Sequence, residues 1–297
     1  MAISYSNMHM KVLILGIYGM LGHKLVQVLA REHEILGTCR EVREINMISK
    51  DRIMKDVMVN DFQSIITAID SVKPDVVINC IGLIKQLKEA DELTTSLEIN
   101  SLFPQKLALA CNARGIRLIH FSTDCVFSGT QGMYKETDIP DATDAYGQSK
   151  FLGEVKGENC LTIRSSIIGR ELGTQNGLLE WFIGNRGKTV HGYRKAIYSG
   201  FTTLEMGNIV NKIIVDYPAL SGVWQIASQP ISKYELLKLI NTEFKLDINI
   251  KPDDSIICDR SLDGSKFSSE TGYKPPSWQS MIEAISKDDK TYTDVKI

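Results

Sequence analysis

Several classes of protein are excluded by what this sequence lacks. No stretch of the 297 residues approaches the roughly 20 consecutive apolar residues of a membrane-spanning helix, and the opening MAISYSNMHM lacks the charged and apolar regions of a signal peptide. The formal net charge is only -2, with basic and acidic residues mixed along the chain, so no charged surface favours nucleic acid or an anionic membrane. We therefore expect a cytoplasmic protein that acts on a small molecule, without a nucleic-acid or membrane partner.

Cysteine and histidine lack the spacing of a disulfide framework or a metal site. The six cysteines are scattered without a CxxC pair, and several lie in apolar runs where a reduced, buried thiol is common. The five histidines show no ligand spacing. The sequence therefore predicts reduced cysteines and no metal site.

What the sequence does contain is an alternation of strand-like and helix-like segments. From Lys11 onward the apolar run KVLILG is followed by a segment, Met20 to Arg31, with apolar residues at helical spacing. Further strand-like runs are EILGTCR, PDVVINCIG and IRLIHFSTD, and they alternate with the helix-like runs FQSIITAIDSVK and SLFPQKLALACNARG. The pattern predicts an α/β fold with a Rossmann-type, doubly wound parallel sheet.

The second half of the chain is more irregular. Beyond about residue 165 the alternation gives way to glycine-punctuated segments such as GRELGTQNG and GNRGKTVHGYRK, and no linker is evident. We therefore expect a dinucleotide-binding Rossmann domain over residues 10–163 and a smaller, mainly substrate-binding lobe over residues 164–290, interleaved with the sheet. The residues before Met10 are left out of this interpretation, and the polar segment after Ile285 is expected to fray.

Three glycines follow the first predicted strand at regular spacing. Gly16, Gly19 and Gly22 form a G-x-x-G-x-x-G pattern at the junction of strand and helix. There a tight turn and a close backbone approach to a pyrophosphate both exclude a side chain, and the helix N-terminus favours negative charge. Glycines also serve such turns for structural reasons alone, but the position after the first strand favours a dinucleotide site. The residues expected to line it are Gly16, Tyr18, Gly19, Met20, Leu21 and Gly22.

The end of the second strand indicates which dinucleotide is bound. An acidic residue there reads the adenosine ribose of NAD, whereas a basic residue pairs with the 2'-phosphate of NADP. Arg40 stands at this point, with Arg43 close behind, and a guanidinium can bind a phosphate through two parallel hydrogen bonds. We therefore favour NADP(H), while Glu41 keeps NAD(H) open and a solvated arginine at a loop edge is the structural alternative.

A tyrosine and a lysine in the segment AYGQSKFLGE have the spacing of a catalytic pair. Tyr146 and Lys150 fall on one face of a helix. Reduction of a ketone by hydride requires a proton for the developing alkoxide, and a phenol can deliver it when a neighbouring ammonium lowers its pKa. Upstream, at the end of a predicted strand, Ser122 and Thr123 place hydroxyls where they can bind a substrate carbonyl. Tyr-x-x-x-Lys pairs also arise by chance, so it is the order of strand end, loop and helix that predicts a catalytic site.

These segments resemble those of the extended short-chain dehydrogenase/reductase superfamily and, within it, the dTDP-4-dehydrorhamnose reductase family. The resembling stretches run across nearly the whole chain, and the most specific one combines the hydroxyl, a turn with Tyr134, Glu136 and Asp138, and the Tyr-Lys pair in order. The stretches are VLILGIYGMLGHKL, PDVVINCIG, EIN at Glu98 to Asn100, STDCVFSGTQGMYKETDIPDATDAYGQSKFLGE, LTIRSSIIG and ETGYKPPSW.

The resemblance implies a catalytic triad of Thr123, Tyr146 and Lys150, with Asn100 supporting the active-site helix. It implies NAD(P)H-dependent reduction of the 4-keto group of a nucleotide-linked 4-dehydro-6-deoxy-sugar, in the synthesis of activated deoxysugars such as dTDP-L-rhamnose and of polysaccharides. Further cofactor contacts implied by it are Asn79, Cys80, Ile81, Gly82, Asp61 and Phe62. Because aromatic rings stack on bases and arginine binds diphosphates, the substrate contacts that we expect are Ser122, Asp124, Cys125, Arg164, Trp181 and Tyr198, the last three being equally compatible with packing.

The sequence also departs from the family pattern. Cys125 stands where family members usually have tyrosine, and the loop YSGFTT at Tyr198 to Thr203 differs from the usual Gly-Ala-Pro-Thr type, so the identity of the sugar stays open. Lys24 occupies a helix position where some of these reductases carry an acidic metal contact, so no magnesium site is transferred.

Two other functions are kept as alternatives. An NAD-dependent epimerase or dehydratase of the same superfamily would hold its cofactor tightly, but the acidic pair that commonly follows the threonine of dehydratases is only half present, as Asp124 and Cys125. A non-catalytic chain resembling the regulatory beta subunit of methionine adenosyltransferase is disfavoured by the intact triad. The sequence leaves a homodimer open.

Overall fold

A seven-stranded parallel sheet forms the centre of the part of the chain that the computed structural model describes, namely residues 9–43, 48–85, 92–288 and 292. The strands lie in the order β3-β2-β1-β4-β5-β6-β10. Their bounds are β1 Lys11–Leu15, β2 Glu34–Thr38, β3 Ile53–Met54, β4 Val76–Asn79, β5 Arg117–Phe121, β6 Cys160–Arg164 and β10 Gly222–Gln225. This order is that of a doubly wound dinucleotide-binding fold.

Alternate residues of the central strands enter different cores, because successive side chains of a strand point to opposite faces. Val12 and Ile14 lie in one core with residues of helices α1 (Met20–Leu29) and α7 (Thr203–Asp216). Leu13 and Leu15 lie in the other with helices α2 (Phe62–Val72) and α4 (Phe103–Asn112). Because both faces are covered, the strands are almost uniformly apolar, as the sequence predicts.

The remaining elements build smaller sheets and their helices. A three-stranded sheet has the order β11-β8-β12, and a two-stranded sheet pairs β7 with β9. The bounds are α3 Leu93–Leu97, α5 Ala145–Leu152, β7 Ile167–Ile168, α6 Leu178–Ile183, β8 Thr189–Tyr198, β9 Phe201–Thr202, β11 Ile231–Ser232, α8 Lys233–Phe244, β12 Asn249–Asp259, α9 Ser265–Thr271 and α10 Trp278–Asp288. The predicted fold class, a doubly wound parallel sheet with a smaller interleaved lobe, is confirmed: β10 and α7 come from the second half of the chain yet belong to the large sheet and its cover.

The end of the chain is more ordered than the sequence indicates. Helix α10 continues past Ile285 to Asp288, whose carboxylate pairs with the buried ammonium of Lys24. Tyr292 is 8% exposed, and its hydroxyl lies 2.7 Å from Nε2 of His23. The expectation of fraying from Ile285 is therefore wrong for these residues, because the tail packs on α1; the rest of the predicted frayed segment lies outside the described residues. No helix within the described ranges is long and apolar enough to cross a bilayer.

The turn from β1 into α1 requires two of the three glycines, Gly16 in the loop and Gly22 in the first turn of the helix. Gly16 has φ +82°, and its amide and that of Ile17 donate to the carbonyl of Thr38, each at 3.2 Å. A Cβ on Gly22 would lie 2.2 Å from the carbonyl oxygen of Gly16, closer than any non-bonded contact allows. Gly19 differs, because its φ of -71° and ψ of 163° suit any residue and the nearest atom to a Cβ would be 3.4 Å away. Gly19 is therefore not required by the fold, and its lack of a side chain leaves the α1 N-terminus open.

We expect Gly22→Ala and Gly19→Ala to separate folding from dinucleotide binding. Gly22→Ala should lower the free energy of unfolding by about 2 kcal/mol or more, because backbone must move. Gly19→Ala should cost less than about 1 kcal/mol, since only the helix cap changes, yet weaken dinucleotide binding at least tenfold through the added methyl group. Urea unfolding and cofactor fluorescence titration measure the two effects. Equal affinity of Gly19→Ala and the parent protein would contradict a pyrophosphate site at this loop.

Candidate active site

The predicted site residues meet at one edge of the large sheet. Parallel strands all end at the same side, and ligands of such folds bind in the crevice outside those carboxyl ends. Register pairs Leu15 with Asn79 and Asn79 with His120, so the ends of β1, β4 and β5 are level. The glycine loop, the segment after Asn79 and Thr123 consequently lie along a common edge.

Thr123 begins a short 3-10 turn, Asp124–Val126, directly after β5. Its Oγ1 accepts a hydrogen bond from the amide of Cys125 at 3.1 Å and donates to Oδ1 of Asp124 at 3.2 Å. The hydroxyl is thus held by its own turn. Thr123 also lies close enough to Tyr146 of α5 to act on the pKa of the phenol, which it lowers.

Helix α5 carries Tyr146 and Lys150 and is capped by Asp144. Oδ1 of Asp144 accepts from the amide of Gly147 at 2.9 Å, and Oδ2 pairs with the ammonium of Lys85 at 2.9 Å. Asp144 has the extended backbone of a helix N-cap, which fixes where the helix begins. The predicted Tyr-Lys pair therefore lies on a helix with a defined start, one turn apart on its surface.

The two ionisable groups of the pair have pKa values moved by burial. Burial lowers the pKa of Lys150 to about 8, against the opposing charge of Glu154, and its Nζ donates to the carbonyl of Phe121 at 2.6 Å. Burial also raises the pKa of Tyr146, with the neighbouring Cys125 adding to the rise and Thr123 opposing it. The sequence-based expectation that Lys150 depresses the pKa of Tyr146 is not met, because the ammonium faces a carbonyl and the phenol has lost water. Tyr146 is therefore held in its protonated form.

The segment that follows β4 is held by the side chain of Asn79. Oδ1 of Asn79 accepts from the amide of Ile81 at 3.0 Å, and its Nδ2 lies 3.1 Å from Nδ1 of His120, which orients the Asn79 amide. Burial lowers the pKa of His120 well below its ordinary value, so this ring is neutral. A Cβ on Gly82 would stand 3.8 Å from Nζ of Lys150. The predicted segment Asn79 to Gly82 is thus brought against the catalytic helix.

Asn100 connects the segment after β4 to α5. It lies in a π-helical turn, Glu98–Leu102, between α3 and α4. Its Oδ1 accepts from the amide of Leu83 at 2.9 Å, and its Nδ2 donates to Oγ of Ser149 at 3.2 Å. These contacts agree with the supporting role that the resemblance implies for Asn100. Extra residues in a helical turn are frequent at functional sites.

The residues expected around the adenosine lie at the other end of the same edge. Arg40 is exposed, whereas the guanidinium of Arg43 donates to the carbonyl of Leu172 at 2.8 Å and stacks over Tyr18. Asp61 is exposed just before α2, and Phe62 is half-buried against Phe103. Both side chains are exposed, and Arg43 is the one held by contacts with Leu172 and Tyr18.

Two predicted substrate contacts are directed elsewhere. Arg164 is 4% exposed, and its Nε and Nη2 donate to the carboxylate of Glu154 at 2.7 and 2.8 Å. Ser122 Oγ donates to the same carboxylate at 2.8 Å. The expectation that Ser122 and Arg164 contact substrate is therefore corrected: both are engaged by a buried carboxylate, which the sequence analysis did not identify although Glu154 stands one helical turn beyond Lys150.

The other predicted substrate contacts differ in how far they are buried. Trp181 is 41% exposed on α6, so its ring is accessible. The ring centroids of Tyr198 and Trp278 lie 5.3 Å apart. The pKa of Tyr198 is raised well above its ordinary value, first by burial and then by the charge of Asp124. Asp124 is buried beside Thr123, and Cys125 is half-buried with its pKa raised to about 12 by burial.

Arg260 lies beside the candidate site, although no sequence pattern pointed to it. It follows β12, and its Nε donates to the carbonyl of Phe127 at 2.8 Å while Nη1 lies 3.8 Å from Sγ of Cys125. A residue of the second lobe thereby reaches the turn that holds Thr123. Only the tertiary packing of β12 brings it there. Within the described residues no group of three histidine, cysteine or acidic side chains is arranged to hold a metal ion.

Comparison with known proteins agrees with this geometry. A family model described as RmlD substrate binding domain matches residues 10–175, more than half of the chain. A dTDP-4-dehydrorhamnose reductase from Aggregatibacter actinomycetemcomitans is 26% identical over 301 residues, covering 93% of this chain and 98% of the relative. The probable low-salt glycan biosynthesis reductase Agl14 of Haloferax volcanii is 32% identical over 149 residues, and that match spans about half of both proteins, 49% and 48%.

The fold has close structural relatives as well. A solved structure of dTDP-4-dehydrorhamnose reductase from Bacillus anthracis in complex with NADP has a TM-score of 0.78, covering 95% of this chain and 100% of that one. At 20% identity this likeness concerns the fold alone. Because the family match spans more than half of the chain, the protein belongs to the dTDP-4-dehydrorhamnose reductase-like family of the RmlD substrate binding domain, within the extended short-chain dehydrogenase/reductase superfamily.

Proposed function

We propose that the protein uses NADPH to reduce the 4-keto group of a nucleotide-linked 4-dehydro-6-deoxy-sugar, for the synthesis of activated deoxysugars and polysaccharides. The proposal is carried by the position of Thr123 beside Tyr146 and of Lys150 against the carbonyl of Phe121, all at the carboxyl edge of the sheet. The match to a relative named dTDP-4-dehydrorhamnose reductase covers 98% of that relative, which supports the substrate class.

The residues at this edge fit a nicotinamide dinucleotide. Gly19 leaves the N-terminus of α1 without a side chain, where amides and the helix dipole favour a pyrophosphate. The segment Asn79 to Gly82 lies between this loop and Lys150 and would adjoin the nicotinamide ribose. Bound NADPH supplies the hydride of the reaction.

The protein's own groups would manage the charge that develops on the sugar oxygen. The Thr123 hydroxyl, fixed by its turn, would hydrogen-bond the carbonyl oxygen, and Tyr146 would donate its proton to the alkoxide. A raised pKa keeps Tyr146 protonated before the reaction. The ammonium of Lys150, which donates to the carbonyl of Phe121 and lies beside Gly82, would hold the nicotinamide ribose.

NADP(H) is the proposed cofactor because of Arg40. Its side chain is exposed at the end of β2, where a 2'-phosphate would lie, whereas Arg43 is engaged by Leu172 and Tyr18. The Bacillus anthracis structure of the same fold is a complex with NADP.

Dehydration is less well supported. A dehydratase needs a base beside the threonine to remove a sugar proton, and the position after Asp124 holds a thiol whose pKa burial raises to about 12. Asp124 itself is buried and accepts the hydrogen bond of Thr123. This arrangement favours reduction over dehydration, and the test below distinguishes reduction from epimerisation.

Tyr146→Phe tests the reaction directly. Purified protein should oxidise NADPH only when a dTDP-, UDP- or GDP-linked 4-keto-6-deoxy-sugar is added, and Tyr146→Phe should lower kcat by about 10²–10⁴ because the proton donor is lost. The Kd of NADPH should change little. Tyr217→Phe is the matched control, since Tyr217 lies beside Arg117 at the amino-terminal edge of the sheet. Unchanged turnover by Tyr146→Phe would refute the mechanism, and interconversion of sugars without net NADPH oxidation would favour an epimerase.

The pH dependence follows from the lowered pKa of Lys150. If the ammonium is required, kcat/KM for NADPH is constant below about pH 8 and falls up to tenfold per unit above it, as Lys150 loses its proton. Tyr146 titrates at higher pH, so it does not produce this limb. In Lys150→Arg the rate should be lower but the limb near pH 8 absent. A limb that persists in this variant would assign the ionisation to another group.

Arg40→Ala tests the choice of cofactor. Loss of a charge-assisted hydrogen bond to the 2'-phosphate should lower kcat/KM for NADPH by about 10- to 100-fold and leave that for NADH within about twofold. Arg31→Ala, an exposed arginine at the far end of α1, is the control. Equal losses with both cofactors, or a parent protein that prefers NADH, would contradict the NADP(H) proposal.

A further inference from the structure

A buried carboxylate joins the two segments that carry the candidate catalytic residues. Glu154 stands just beyond α5, and its side chain is 2% exposed. Oε1 accepts from Ser122 Oγ at 2.8 Å and from Arg164 Nε at 2.7 Å, and Oε2 accepts from Arg164 Nη2 at 2.8 Å. Three donor atoms thus converge on one carboxylate, which compensates its charge through two bonds from Arg164 and one from Ser122.

The partners of Glu154 tie it to the ends of two adjacent strands. Ser122 directly precedes Thr123, and its amide donates to the carbonyl of Ile163 at 2.8 Å. Arg164 is the last residue of β6, and its carbonyl accepts from Ile226 beyond β10 at 3.0 Å. The carboxylate therefore spans from the helix that bears Tyr146 to the strand end that bears Thr123.

We propose that Glu154 is a positioning residue, which sets the distance between the Thr123 strand end and the Tyr146 helix through its bonds to Ser122 and Arg164. This role rests on the proposed reductase function. A reaction that needs a hydroxyl and a phenol on one oxygen is sensitive to small displacements, because misplacement by about 1 Å can cost about 100-fold in rate. Neither Thr123 nor Tyr146 has to touch Glu154 for this effect.

The same carboxylate influences the charge of Lys150, which is one helical turn away. Among the described residues, three titratable groups face this ammonium: Glu154 just beyond α5, Cys80 after β4 and His120 in β5. Burial raises the pKa of Cys80 and lowers that of His120, so both are neutral near pH 7. Glu154 is the largest of the influences that oppose desolvation of Lys150.

An ion pair that served stability alone could be removed without any effect on kcat or on the titration of Lys150. Replacing a buried pair by neutral side chains of similar size is often neutral for stability, whereas removing one partner leaves an unpaired charge. The double variant Glu154→Gln/Arg164→Met therefore keeps the volume and removes both charges, and Ser122→Ala removes only the hydroxyl link. Ser228→Ala is the matched control, because this buried serine also donates one short hydrogen bond, to Gly200 at 2.6 Å.

The charge effect is measured without any substrate. In protein labelled with ¹³C at lysine Cε, the Lys150 resonance is assigned by its loss in Lys150→Arg and titrated by NMR. We expect the midpoint in Glu154→Gln/Arg164→Met to fall by about one pH unit, because Glu154 raises the pKa of Lys150 whereas Arg164 is not among the charges that act on it. An unchanged midpoint in the folded double variant would overturn the electrostatic part of the proposal. This readout stands whether or not the protein reduces a keto-sugar.

The positioning effect is measured by turnover of the sugar that the parent protein reduces. Ser122→Ala should lower kcat about tenfold with the Kd of NADPH, the KM of the sugar and the melting temperature close to those of Ser228→Ala, because only geometry changes. In the double variant kcat/KM should be about fivefold further reduced at pH 8 than at pH 6. A Ser122→Ala protein with parental kcat would overturn the positioning role. If the parent reduces no keto-sugar, the proposed function fails instead, and the NMR titration alone decides the charge effect.

Discussion

Parallel pairing with level strand ends is the constraint on which the site depends. Leu15 pairs with Asn79, and Asn79 with His120, so the three strands end within one residue of the same level. Gly16 turns towards Thr38, Asn79 orients the amide of Ile81, and Thr123 begins its own turn. A shift of one residue in the register of any of these strands would move the side chains of that strand to the opposite face, and the site residues would no longer lie together.

Desolvation decides the protonation states at this edge. It raises the pKa of Tyr146 and lowers that of Lys150, so in each case the neutral form is favoured over the charged one. Burial of a polar group is tolerated only with a partner, and here the partners are a backbone carbonyl for Lys150 and a turn hydroxyl for Tyr146. The cost of burying these groups is thus offset by bonds that also orient them.

The second half of the chain completes the first. Helix α7 covers α1, and Tyr292 packs behind the glycine loop through His23, whose Nδ1 lies 2.8 Å from the carbonyl oxygen of Gly19. Arg260 reaches from β12 to the turn after Thr123. The dinucleotide edge and the lobe proposed for substrate therefore share contacts on both sides, which is why a boundary at residue 163 divides the chain by sequence more than by packing.

Local patterns in the sequence determined the alternating fold, the glycine turn and the Tyr146 and Lys150 pair, because strand periodicity, the need for a positive φ and helical spacing act over a few residues. The tertiary structure alone decided that Ser122 and Arg164 turn to Glu154, that Arg260 lies beside the site and that the pKa of Tyr146 rises. Those outcomes depend on which distant segments exclude water from a group and supply its partner. Burial and pairing are properties of the packed molecule, and no short stretch of sequence contains them.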